Sequence, residues 1–157
     1  MSVTKASIRG ITLEQASKIV DAALAASREK KLRPMTLAVI DAGGDLVAFK
    51  REDHTGIRRY AIAYGKAFGA LVMNRPSRTI GAIGAQNPLF VQSIIAATGN
   101  HIVPTAGGVL VKDAAGFIIG AVGSSGDEAD QDEAVAIIGI HAAGLISEPD
   151  DPSPAGH

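Results

Sequence analysis

The chain has 157 residues, enough for one ordinary domain with a genuine core and too few for two. Hydrophobic residues make up 46% against 20% charged, which excludes a disordered chain, and with 4% aromatics and no Trp the core must be aliphatic, packed around Ala and Gly. With 15 Lys and Arg against 16 Asp and Glu, the net charge of -1 gives no field that would draw in nucleic acid, and zero Cys excludes disulfides, thiolate metal sites and cysteine nucleophiles.

The opening "MSVTKASIRGITLEQ" lacks the cationic, apolar and cleavage regions of a signal peptide. No apolar run reaches the roughly 20 residues that span a bilayer, so a cytoplasmic protein with no membrane partner is expected. Residues 1–11 read as a polar lead. Thr12 and Gln15 have the spacing of a reciprocal capping pair, and Ala16, Ile19, Val20, Ala23 and Leu24 then recur at helical spacing, predicting a first helix over 13–31. Pro34 pushes Arg33 toward extended geometry. Two β-rich runs, 35–41 and 45–51, flank "DAGG" and predict a hairpin. The small and large apolar residues of "YAIAYGKAFGALVM" suit a helix over 58–73 pressed closely on a sheet.

"RTIGAIGAQ" reads as a short helix, and "PLFVQSIIAAT" as a turn or helix opened by Pro88. Strands over 107–112 and 117–123 flank a second hairpin turn, "DAAG". Asp127 to Gly144 reads as a buried or interface helix with an acidic first turn. The proline-rich 146–157 reads as a flexible tail beyond a single domain over 12–145. Hairpin pairs with helices between and around them predict an α+β fold, a largely antiparallel sheet with helices packed on it as an α/β/α sandwich.

The glycine-rich "GAVGSSG" before the last helix invites a phosphate reading, but neither G-x-x-x-x-G-K-[ST] nor G-x-G-x-x-G occurs. Asp127, Glu128, Asp130, Asp132 and Glu133 occupy the place of an anion, and they lack the EF-hand spacing of a cation site. Chemistry is then sought elsewhere. His54 stands beside Asp53, Arg58 and Arg59, a titratable group, a carboxylate and two cations suited to a carboxylate-bearing ligand. His101, with Thr105 after it, sits at the mouth of a strand, where an iron ligand or general base would be well placed. His141 on the apolar last helix reads as a core or interface residue. Lys66 interrupts a small, apolar run and must snorkel, pair with a carboxylate or face a pocket.

The blocks "TLEQASKIVDAAL", "AVIDAGGDLVAFKRED", "IAYGKAFGAL" and "AGGVLVKDAAGFIIGAVGSSGDEADQDEAVA", in this order, resemble the GlcG/HbpS family, which includes the heme-binding C-terminal domain of PduO-type proteins. Arg51, Glu52, Asp53, Arg59, Lys66, Gly107, Gly108, Gly123, Gly126, Asp132 and Glu133 fall on its characteristic positions. The resemblance implies an antiparallel five-stranded sheet in an α/β/α sandwich, homodimers or larger homo-oligomers, and a small ligand, heme among them, bound near subunit contacts. In heme-binding relatives a histidine of the first helix can serve as axial ligand. Thr12 to Lys31 contains none, so His54 or His101 is the expected heme-iron ligand, in a pocket made by 51–66 and the loops 101–108 and 123–133. The alternative is a cofactor-free catabolic enzyme performing isomerisation or dehydration on a small carboxylate. There His54 would be acid or base, Arg58, Arg59 and Lys66 would hold the anion, and Glu52 or Asp53 would orient the histidine. A non-catalytic assembly subunit is the third reading.

Overall fold

A computed structural model describes residues 10–151. Most of the polar lead and the second half of the proline-rich tail, with His157, lie outside the described residues. Helix α1 (Leu13–Glu29) opens on the expected capping box: Thr12 Oγ1 accepts from the Gln15 N–H at 3.1 Å, and Gln15 Oε1 accepts from the Thr12 N–H at 3.0 Å. It stops two residues short of the expected end, because Lys31 turns to φ 56. Strands β1 (Thr36–Asp41) and β2 (Leu46–Arg51) form the first hairpin, and β3 (Gly108–Lys112) and β4 (Ile118–Ser125) the second.

The two turns share one construction. Asp41 Oδ1 accepts from the N–H groups of Gly43 and Asp45, and Asp113 Oδ1 accepts from those of Ala115 and Phe117. Gly44 and Gly116 each supply φ 87. Between the hairpins run α2 (Arg59–Met73), α3 (Ser77–Gln86) and α4 (Pro88–Ala97), and α5 (Ala129–Ala142) follows β4. Asn87 caps α4, its Oδ1 accepting from the Phe90 N–H at 3.2 Å, with Pro88 at the first helical position.

The sheet is five-stranded and antiparallel, in the order β2-β1-β4-β3-β5, and its two faces carry different cores. Strand alternation sends Leu37, Val39, Val109, Val111 and Val122 to one face, where Ile19, Val20 and Ala23 of α1 and Val135 and Ile140 of α5 cover them. Ile40, Leu110 and Ala121 go to the other face, under Ala67 and Ala70 of α2. The expected α/β/α sandwich is therefore present.

Helix α2 lies directly on the sheet backbone. A Cβ at Gly123 would come 1.7 Å from the Ala63 carbonyl oxygen, and one at Gly108 would come 2.1 Å from that of Lys66. No L side chain fits between, so the glycines of β3 and β4 are the seat of the helix.

The fifth strand, β5 (Ile146–Glu148), corrects the tail boundary of 146. It pairs with β3 through Leu110↔Glu148, Val111↔Ser147 and Lys112↔Ile146, and an ion pair joins Lys112 to Glu148. Ser147 is buried there, and its hydroxyl lies 3.0 Å from Nε2 of His141 in the last turn of α5.

Candidate functional site

Four of the expected site residues prove to be structural or exposed. Glu52 is a clamp: its Oε1 accepts from the Met35 N–H at 2.8 Å, and Oε2 meets Arg28 of α1 at 2.8 Å. Asp53 and His54 stand exposed in the loop after β2, with His54 in the left-handed region at φ 68. Thr105 is exposed too, and its carbonyl accepts from the Ser77 hydroxyl at 2.5 Å.

Lys66 pairs and does not face a pocket. Its side chain is 3% exposed, and Nζ donates to Asp132 Oδ2 and to the Ser124 carbonyl, each at 3.0 Å. The other oxygen of Asp132 accepts from the Asp127 N–H at 2.9 Å. Burial pushes the Lys66 amine below the usual lysine range and the Asp132 carboxyl above the usual carboxylate range, while each partner's charge pulls the other way. Beside this pair, fully buried Glu133 meets Arg78 of α3 at 2.6 and 2.7 Å. Asp127 accepts from the Arg33 N–H at 2.8 Å, and its two backbone donors, Arg33 and Glu128, hold its carboxyl below the usual range. The acidic stretch is thus a brace between α5 and the rest of the molecule.

Arg58 and Arg59, adjacent in sequence, go to different places. Arg58 precedes α2 in the left-handed region at φ 64, and Arg59 opens the helix. Arg59 points toward β4, where its Nη1 donates to Ser125 Oγ at 3.2 Å. Arg58 instead lines an open cleft of about 610 Å³ together with Tyr60, Tyr64, Asn100, His101 and Val103. Cofactor sites commonly measure about 300–1,000 Å³, with apolar walls and a few placed polar groups. No Asp or Glu lines this one.

His101 and Arg58 are therefore the sequence candidates that the cleft brings together. Around them is an aromatic stripe that the sequence reading passed over. Tyr60, Tyr64 and Phe68 recur every four residues on one face of α2, and Tyr64 stacks on Phe68 with centroids 5.7 Å apart. The His101 ring meets both edge-on, at 6.3 Å from Tyr64 and 6.1 Å from Phe68. Phe49 of β2 closes on Tyr60 at 5.2 Å. The Tyr64 hydroxyl donates to the Gly44 carbonyl at 3.1 Å, which fixes the ring against the first hairpin turn. The signal was the four-residue spacing of aromatics in a chain where they make up only 4%.

Gly99 lies against the His101 ring. It has φ 89, and a Cβ there would lie 3.2 Å from Cδ2 and 3.4 Å from Nε2 of the imidazole. Glycine leaves that edge of the ring clear. Among the described residues no group of three or more His, Asp or Glu gathers in a way that could hold a free metal ion. No helix among them is long and apolar enough to cross a membrane.

Several solved structures share this architecture. A double mutant of HbpS from Streptomyces reticuli is 28% identical, with a TM-score of 0.73, covering 88% of this chain and 89% of that one. Protein ORFY of Klebsiella pneumoniae is 23% identical, with a TM-score of 0.78 and coverage of 92% and 97%. PduOC, solved as a heme complex, is 20% identical, with a TM-score of 0.77 and coverage of 87% and 96%. Among curated protein sequences none matches the chain. A family model described as haem degrading protein HbpS-like matches residues 11–141, nearly all of the described domain, and the chain belongs to that HbpS-like family.

Proposed function

We propose that the protein binds a small planar ligand, with heme as the ligand of choice, in the cleft between the first turns of α2 and the segment Asn100 to Val103. The observation that carries this reading is His101, an imidazole in T-shaped contact with Tyr64 and Phe68 at the wall of a cleft, where any side chain at Gly99 would crowd its Nε2. A heme brings its own equatorial nitrogens and asks the protein for only one or two axial donors, so a lone histidine suffices where a free ion would need a cluster. The heme complex of the PduOC relative supports the same choice.

His101 would hold the iron, Tyr60 and Tyr64 would pack against the macrocycle, and Arg58 would face its carboxylates. When bound, heme supplies redox-active iron, with a potential set by the axial donor and its surroundings. His54 fits this role less well, because it does not line the cleft.

The molecule works as a homo-oligomer in this reading. Of the uncharged helix α4 only Val91 is buried, while Leu89 is 75% exposed, the kind of apolar surface that a second copy covers.

Hemin titration followed in the visible spectrum tests the reading. A saturable Soret band is expected, abolished in His101→Ala and retained in His54→Ala. Absence of the band in the wild type, or its persistence in His101→Ala, would overturn the assignment.

A further inference from the structure

The first turn of α2 carries an electrostatic mismatch. A helix N-terminus is the positive end of the macrodipole and favours acidic residues, yet Arg58 and Arg59 stand at this one. There is no acidic residue in the first turn and no side-chain cap on its free N–H groups. Among the described residues Arg59 forms no ion pair, and three carboxylates of α5 have cations of their own: Asp132 has Lys66, and Glu133 and Asp130 have Arg78. The Arg59 charge reaches the buried Lys66 amine and helps to push it down.

A second, independent observation points to the same place. Thr36 is 0% exposed, and its Oγ1 has no hydrogen-bond partner among the described residues. Leaving a buried hydroxyl unmatched costs about 1–3 kcal/mol, so such groups call for an explanation. Thr36 is the cross-strand partner of Ser125, so the two side chains share one face of the sheet. That face is the one under α2, because Gly123, two residues before Ser125 on the same strand, turns its Cα toward Ala63 of that helix. Ser125 is 1% exposed, and its Oγ accepts from Arg59 Nη1 at 3.2 Å. Above them the loop after β2 lies on the guanidinium: a Cβ at Gly56 would come 3.3 Å from Arg59 Nε. The neighbouring Thr55 holds a second buried hydroxyl without a partner.

We propose that Arg59, with the hydroxyls of Thr36 and Ser125 and the loop at Thr55, forms a site for one small monovalent anion at the head of α2, separate from the cleft of Arg58 and His101. An unpaired guanidinium, unmatched hydroxyl donors and the positive helix end all favour negative charge. Because Thr36 and Ser125 are buried, only a small anion of the class of formate or chloride suits them, either free or as the carboxylate head of a small molecule. The site does not depend on heme in the cleft.

Thermal unfolding in sodium formate and, separately, in sodium chloride tests this, with bulky sodium gluconate holding the ionic strength constant. Wild-type protein should show a saturable rise in Tm, about 5 °C at a hundredfold excess over Kd. The half-saturating concentration should rise at least tenfold in Arg59→Gln and in the isosteric Thr36→Val, and Thr36→Ser should restore it. Saturation by formate and chloride alike identifies a free-anion site, and saturation by formate alone a carboxylate site. No saturable response, or an unchanged response in both variants, would show that the hydroxyls meet only water and would overturn the proposal. The hemin titration reads the cleft independently, so failure of either assignment leaves the other standing.

Discussion

Lys66 shows how a residue type can invite chemistry and deliver architecture. A lone lysine in "AIAYGKAFGAL" has three outcomes open to it, and the side chain that decides between them, Asp132, is 66 residues away. With both ends below 4% exposure, removing one partner strands an uncompensated charge. Lys66→Met or Asp132→Leu alone should therefore cost about 3–5 kcal/mol in denaturant unfolding, whereas the double replacement should recover most of that loss. Costs that simply add would show that the pair is not coupled. Arg58 and Arg59 carry a related lesson. As neighbours they read as one cationic grip, but Arg58 takes the left-handed turn before α2 and Arg59 opens the helix, so the second guanidinium goes to β4 while the first stays at the cleft.

At the scale of elements, legibility followed the locality of the cause. Both hairpins were readable because Asp41 and Asp113 satisfy backbone donors two and four residues ahead. The start of α1 was readable for the same reason, through Thr12 and Gln15. Strand β5 was not, because three residues with one buried serine carry no periodic signal, and it exists only through the register of β3. The cleft was half readable. His101 and Arg58 could be named from the sequence, but the contact that puts the His101 ring on Tyr64 and Phe68 joins segments more than thirty positions apart. The close seat of α2 makes its own prediction. Gly123→Ala forces a Cβ onto the Ala63 carbonyl and should destabilise by about 3 kcal/mol or more, against about 0.5 kcal/mol or less for Gly43→Ala at the hairpin tip, both measured by chemical denaturation.

For the whole molecule, the closing strand matters more than its length suggests. Val109 and Val111 of β3 are fully buried, and β5 pairs along the outer edge of that strand. Ending the chain after Leu145 would leave an apolar strand with unpaired N–H and C=O groups, an edge open to other chains. The truncated protein should show lower Tm and concentration-dependent light scattering, and monodisperse, equally stable material would show that β3 is protected without β5.

The seating of α2 also divides what the chain is free to change. Where its backbone sits on Gly108 and Gly123, α2 presents Ala63, Lys66 and Ala67, and Gly65 and Gly69 are held as tightly against residues 101–103. Arg58, Tyr60 and Ala61 line the cleft and carry no such restriction. One helix thus holds two alphabets: a short one along its body that keeps the fold, and a long one at its head in which ligand preference can be rewritten while the fold is left alone.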